Sequence, residues 1–386
     1  MKTNQTIEDY TVGVDYLLDL ELLPYDIRGT IAHTKMLRKI KILNSKELSI
    51  LLSGLNKILS LWKNEKFKID KSQEDGHTAI EAYLTEHYGE VGKKVHTGRS
   101  RNDQSLTMTR LFSKEKLLEI KKEVEILIGT LEGQIKKQGK IKMPGYTHMQ
   151  RAMPSSVGMW LGSYHASLQD DLILLDAALK VIDQNPLGSA AGYGENILGL
   201  DRKFTTRELH FKKIQENPMY CALSRGKFEN IILQTVSSVM FDIGKISTDL
   251  LLFTTKEFNF FTLPDSFKTG SSIMPQKKNY DVLELIRGNI AVFHGYQYQV
   301  ENVIKNLPAG YNRDFQLTKE PYIKGIKLAL DTIKIMIMVI KNLEAKRKNL
   351  ENACTAELYA TDEALKLVKA GKNFREAYQE VKEKYA

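Results

Sequence analysis

The stretch GSSIMPQKKN at residues 270–279 joins a Gly-Ser-Ser turn, a proline and two adjacent lysines, none of which a helix requires. Gly270, Ser271 and Ser272 offer exposed backbone N–H groups, and Lys277 and Lys278 add positive charge. Asn279 or Asp281 is suited to cap a following helix. A loop of N–H donors ending at a helix N-terminus is a natural anion site. The competing view is a capped linker with solvent-facing lysines, which accounts for Asn279 and Asp281 but not for the Gly-Ser-Ser turn.

Four further clusters hold polar groups of the same kind. In HTGRSRNDQ (96–104), Gly98 frees the backbone while Arg99, Ser100, Arg101 and Asn102 supply donors, and arginine binds carboxylates as a bidentate fork. The same stretch reads equally well as a helix start capped by Ser100 or Asn102, with Asp103 complementing the dipole. GYTHMQRAMP (145–154) sets His148 between Thr147 and Gln150 in a proline-bounded turn. A histidine there can shuttle protons near neutral pH or serve only the turn. LPAGYNRDFQLTKE (307–320) carries Tyr311, Gln316 and Lys319, the last two sharing a face if a helix has begun. QEDGHT (73–78) carries His77. Metal-ligand spacing, GxGxxG and P-loop patterns are absent, so phosphate-cofactor chemistry has no support.

Long helices must position these clusters. Only nine prolines punctuate the chain, and Pro24 is the last before Pro144. Ile232, Val236, Val239, Ile243, Ile246, Leu250 and Phe253 alternate by four and three, which keeps one seam toward a neighbour. At 1.5 Å per residue that stripe spans roughly 30 Å. Leu117, Ile120, Val124, Leu127 and Leu131 repeat the spacing, as do Ile326, Leu330, Ile333, Ile337 and Ile340. Further helices are expected over 155–183 and 280–305. No stretch sustains a period of two, so the predicted fold is all-α. Apolar positions beside the main seam, among them Leu233, Met240 and Leu251, suggest a bundle that packs against other bundles.

At 386 residues the chain can bury a large core, in more than one domain. The longest apolar run, 335–340, is too short to span a bilayer, and the first ten residues lack the apolar stretch of a signal peptide. Two cysteines, Cys221 and Cys354, make neither a disulfide framework nor a metal site, and a reducing cytoplasm is the economical expectation. The formal charge of +9 permits nucleic acid or small anions as partners. Lys121, Lys122, Lys136 and Lys137 alternate with acids and apolar residues as solvated faces do, and no basic run is interleaved with aromatics. Nucleic acid is therefore not expected, while anionic substrates are.

Taken together the clusters resemble a known family. GSSIMPQKKN resembles the signature loop of the fumarase/aspartase superfamily, G-S-S-x-M-P-x-K-x-N. HTGRSRNDQ, PGYTHMQRA, PLGSAAGYG and LPAGYNRDFQLTKE are similar to argininosuccinate lyases and the related lens δ-crystallins, from about Asp9 to FREAY near residue 378. The resemblance implies a three-domain helical subunit, here divided as 1–103, 104–350 and a shortened C-terminal domain over 351–386. Its long helices would form a twenty-helix core in a homotetramer with shared active sites. It implies reversible elimination of argininosuccinate to arginine and fumarate, without metal or organic cofactor and without nucleic acid or membrane as partner. Removing a proton beside a carboxylate builds a second negative charge on it, which preorganised cations and N–H donors stabilise.

By the same resemblance Lys277 and Asn279 hold that dianion, and Ser271 and His148 act as base and acid in either order. Glu284 orients or charges the imidazole. Ser100, Arg101, Asn102 and Thr147 bind substrate carboxylates, Tyr311, Gln316 and Lys319 hold the rest of the substrate, and His77 belongs to the same site. A δ-crystallin-like inactive homologue and a sibling succinyl-amine lyase, such as adenylosuccinate lyase, are the alternatives. The chain departs from the pattern in lacking a WGGRF-like start and a placeable substrate-binding serine near YTVGVDYLLDLE. Gly76 stands where an apolar residue is usual, and Tyr280 replaces a proline, which is expected to relax the start of the next helix.

Overall fold

Helices dominate residues 4–385, those that the computed structural model describes. The long ones are Arg101–Gln138, Val157–Ile182, Lys227–Phe253, Asp281–Ile304 and Lys319–Lys341, where the apolar periods predict them. Ile232, Val236, Val239, Ile243, Ile246 and Leu250 are fully buried, and so are Leu117, Ile120, Val124, Leu127 and Leu131. Each such side chain contributes about 1.5–3 kcal/mol on burial, so the seams, more than intrinsic propensity, stabilise the helices. In the Lys319–Lys341 helix, Ile326, Leu330, Ile333 and Ile340 are buried while Ile337 is half-buried. Leu233 and Met240 are also fully buried, so this chain covers them itself, and Leu251 is half-buried. The apolar side chains left in solvent are different ones, including Met159, Ile173, Phe241, Leu285, Val292 and Met338.

The chain forms two compact units. One comprises Met1–Glu119, Leu174–Val236 and Phe293–Lys327; the other comprises Ile120–Ile173, Ser237–Val292 and Leu328–Ala386. In the first, helices Asp15–Lys39, Ser45–Lys63 and Gly76–Tyr88 pack around Leu23, Ile27, Leu37, Leu51, Leu55 and Leu84. Their starts are chemically specified. Asn44 accepts from the Glu47 N–H at 2.9 Å while Glu47 accepts from the Asn44 N–H at 2.8 Å, a reciprocal capping box. Asp75 Oδ1 accepts from both the N–H and the hydroxyl of Thr78 at 2.8 Å. Loss of such a cap costs about 1 kcal/mol.

In the second unit a hairpin of strands Lys142–Thr147 and Gln150–Ser156 interrupts the helices, with an irregularity between Gly145 and Tyr146. The other strand pairs among the described residues are two residues per strand, and the fold class is all-α as expected. The hairpin escaped a period-two reading because Met143 and Pro144 are buried in succession and the second strand has no buried residue. Among the described residues no helix is long and apolar enough to cross a membrane.

Candidate active site

His77, Arg101, Asn102, Tyr311, Gln316 and Lys319 line one cavity of about 120 Å³ in the first unit. Asp15, Asp19 and Arg225 share its walls. Each side chain is delivered by a local device. Asp75, itself on the wall, starts the helix that carries His77. Gly98, at φ +72, makes the left-handed turn before Arg101, and a Cβ there would lie 3.1 Å from the Leu198 and Leu200 side chains. Ser100 Oγ then accepts from the Asn102 N–H at 3.2 Å, and Asp103 accepts from the Ser100 N–H at 3.0 Å, so the Ser100 hydroxyl serves the helix start. Arg99 is turned inward: it is buried, and its Nη1 donates to Thr30 Oγ1 at 3.0 Å. Arg101 stays exposed, 3.3 Å from Glu74 Oε2 and 3.5 Å from Asp75 Oδ2.

The floor is charged on both sides. Lys319 is buried, with Asp19 Oδ1 at 2.6 Å and Asp15 Oδ1 at 2.8 Å. Burial opposes the ammonium, but Asp19 and Asp15 outweigh it and hold the lysine pKa above its ordinary value. Burial also pushes both carboxyls up. For Asp19, Lys319 and His77 reverse that effect and its pKa falls below the usual range, whereas Asp15 ends above it. His77 Nδ1 lies 2.6 Å from Asp26 Oδ2, both groups buried. Burial disfavours the imidazolium, yet Asp26 outweighs it and raises the histidine pKa. Gln316 Nε2 donates to the carbonyls of Thr11 and Val12 at 3.0 and 3.2 Å, tying the residues before the Asp15–Lys39 helix to the cavity. Gly76 donates its N–H to Asp19 Oδ2 at 2.8 Å, and a Cβ at that position would meet only ordinary contacts from 3.4 Å outward.

The remaining expected residues lie in the second unit. Thr147 and His148 form the exposed tip of the hairpin, where His148 (φ +51) and Met149 (φ +62) both occupy the left-handed region. Thr147 pairs with Gln150 across them, so the two central residues make a tight turn of the type that prefers Asn or Gly. Holding histidine and methionine there costs on the order of 1–3 kcal/mol each, the kind of strain that clusters at functional sites.

The signature loop is likewise pinned at its base. Thr269 and Gly270 pair with Asn279 and Lys278, and Lys277 N–H donates to Met274 O at 3.0 Å across a turn with Pro275 at its second position. Ser271 Oγ accepts from the backbone N–H groups of Met274 at 3.1 Å and Ile273 at 3.4 Å. Donors aimed at one oxygen favour its anionic form. Lys278 is bound to Asp265 at 2.8 Å; that aspartate also holds Lys268 at 2.9 Å, and hydrogen bonds from the two lysines hold its pKa down to about 2. Lys277 is exposed.

Two local expectations change. Asn279 is the end of a strand, and the Asp281 carboxylate accepts from Thr269 Oγ1 instead of capping a helix. Tyr280 does not relax the helix start: its hydroxyl bonds Thr262 Oγ1 at 3.3 Å and the Leu263 N–H at 3.4 Å, and Lys268 lies 5.5 Å above its ring. Glu284 sits exposed in the first turn of Asp281–Ile304 and shares no hydrogen bond with His148 among the described residues.

Sequence reasoning missed Asp15, Asp19 and Arg225. A signal for the acids existed. Asp15, Asp19 and Asp26 are spaced by four and seven on one helix, so they share a face that an ordinary packed helix fills with apolar residues. Arg225 lies between two helices without a distinguishing pattern.

Comparison with known proteins gives the family. A family model described as lyase matches residues 10–295. An argininosuccinate lyase of Thermotoga neapolitana is 42% identical over 99% of this chain and 96% of its own length. The chain belongs to the argininosuccinate lyase family. A second member, from Phocaeicola vulgatus, is 39% identical over 99% of this chain and 85% of its own. Among solved structures, an EDDS lyase in complex with formate aligns with a TM-score of 0.83 at 25% identity, over 98% of this chain and 75% of that one. A class II fumarase from Schistosoma mansoni shares the fold, with a TM-score of 0.80 at 18% identity over 97% and 91% of the two chains. Family and fold together make this chain a lyase of the fumarase/aspartase superfamily.

Proposed function

We propose that this lyase eliminates fumarate from argininosuccinate, releasing arginine, in arginine biosynthesis. The observation that carries the reading is the Ser271 hydroxyl held by two backbone N–H groups inside the complete signature loop. A serine in water is a poor base, and donors that stabilise its anionic form are what proton abstraction requires. In this reading Ser271 takes the proton beside the carboxylate, and Lys277 and Asn279 hold the dianion that develops. His148, presented on its strained turn, serves the leaving nitrogen, with Glu284 as its charge partner. Thr147, Ser100, Arg101 and Asn102 bind the succinyl carboxylates. Tyr311, Gln316, Lys319 and His77 hold the arginine end.

The two groups of residues act together in a homotetramer with shared active sites. Support comes from the exposed Met159, Ile173, Phe241, Leu285, Val292 and Met338 on the long helices, apolar surface that suits burial against other copies. A cytoplasmic location fits two free thiols. The test is a substrate panel: argininosuccinate, adenylosuccinate and aspartate assayed side by side for fumarate absorbance. Fumarate from argininosuccinate alone is the expected result. Fumarate from another member of the panel, or from none with soluble protein, sinks the assignment.

A further inference from the structure

The cavity contains a buried cation with one nitrogen that finds no hydrogen-bond partner among the described residues. Arg225 is 8% exposed, its guanidinium lies 5.0 Å from the Tyr311 ring, and its buried Nη1 has no hydrogen-bond partner. The cavity's other cations are committed. Lys319 is held by Asp15 and Asp19, while Arg101 and Arg313 both approach Glu74 at the exposed rim, at 3.3 and 3.9 Å. Glu229, one turn beyond Arg225, is buried with Oε2 unpartnered, and burial pushes its carboxyl up, which weakens it as a counter-ion. A buried guanidinium N–H left without a partner is destabilising, so a ligand that completes it gains affinity.

A complementary group stands in the same cavity. Asp15 Oδ1 lies 2.8 Å from Lys319 Nζ in an ion pair, but its geometry makes no well-formed hydrogen bond, while the ammonium donates to Asp19 at 2.6 Å. Asp15 Oδ1 is thus a buried acceptor atom, and a carboxylate has lone pairs enough to take a second donor beside the lysine. Burial raises its carboxyl pKa, and a cationic donor placed against it would restore its charge. Asp15 and Arg225 also lie within each other's field.

We propose that Arg225 and Asp15 together receive the α-amino-acid head group at the arginine end of the substrate, Arg225 taking the α-carboxylate and Asp15 the α-ammonium. This rests on the reading of the cavity as the argininosuccinate site. It assigns the cavity a preference for a zwitterion.

Calorimetric titration of the full-length protein with three probes tests the assignment: L-arginine, agmatine (which lacks the carboxylate) and 5-guanidinopentanoate (which lacks the amine). Wild type is expected to prefer arginine over each by roughly 10- to 100-fold, the worth of one charge-assisted hydrogen-bonded contact. Arg225→Gln should bring arginine and agmatine to within about threefold while agmatine affinity is retained, which also reports that the variant is folded. Arg225→Lys should keep part of the preference, and Asp15→Asn should erase the preference over 5-guanidinopentanoate only. An Arg225→Gln protein that keeps the wild-type preference overturns the proposal, as does a wild type that binds arginine and agmatine equally. If the preference is present but argininosuccinate is not turned over, the head-group receptor stands and the functional reading above it fails.

Discussion

Lys319 in the cavity and Lys277 on the signature loop are both expected to serve the substrate, yet they are built into the protein differently. Lys319 is buried and fixed by Asp15 and Asp19 at 2.8 and 2.6 Å, within a network that continues through Asp19 to the Gly76 N–H. Lys277 is exposed, on a loop whose base is a two-residue strand pair and whose neighbouring lysine is held by Asp265. His77 and His148 repeat the contrast: one is buried against Asp26, the other stands exposed on a strained turn. The cavity is preorganised by charge pairing among buried groups. The loop and hairpin are preorganised by backbone geometry, with the Lys277 and His148 side chains left exposed. On the proposed function, binding and chemistry fall to these two different kinds of structure, and each kind is expected to fail in its own way when altered.

The sharpest way to break the comparison is at His148. Asparagine fits a left-handed turn position at least as well as histidine, so His148→Asn should leave the hairpin and the melting temperature unchanged or slightly improved. Turnover should fall by about 10²- to 10⁴-fold, the usual contribution of a positioned acid or base. Retained turnover in that variant would reduce His148 to a turn residue. Lys319 should behave oppositely. Lys319→Met takes from Asp15 and Asp19 the ammonium that pairs them, and denaturant unfolding should show a loss of about 3–5 kcal/mol. A stable Lys319→Met protein with weakened binding would mean that the lysine is held for substrate and not for the cavity.

The smallest expected effect is a pH dependence. The folded-state pKa of His77 is raised, so its pairing with Asp26 contributes fully below the unfolded value of about 6.5 and is lost as pH rises through the folded value. The stability difference between wild type and His77→Gln should therefore shrink as pH is raised above about 6.5. A difference that grows with pH would mean that the histidine is held neutral.

The two regions also differed in how far the sequence disclosed them. Long helices were legible because seams such as Ile232 to Leu250 obey one period and end fully buried. The signature loop was legible as an anion-binding stretch, since Gly-Ser-Ser and paired lysines have no use inside a helix. Its actual wiring was not. That the Met274 and Ile273 N–H groups converge on Ser271, and that Asp281 turns to Thr269, depends on loop dihedrals that residue types leave free. In the cavity, Asp15 and Asp19 carry no distinguishing motif and an acid is usually exposed; only the lysine partner, 300 residues from Asp19, explains the burial of that carboxylate. Tyr280 shows the same limit: a residue that loosens a helix start by its local preferences is fixed by Thr262 and Leu263, which only tertiary structure brings near.

The division between a binding cavity and a reacting loop is tested most directly by titrating argininosuccinate into Ser271→Ala and measuring fumarate release from the same sample. Ser271 lies on the exposed loop of the second unit, its hydroxyl held by the Met274 and Ile273 N–H groups. The expected result is argininosuccinate affinity within about threefold of the wild-type value, with turnover reduced by about 10²- to 10⁴-fold. Loss of binding together with turnover, or turnover near the wild-type rate, would contradict the division.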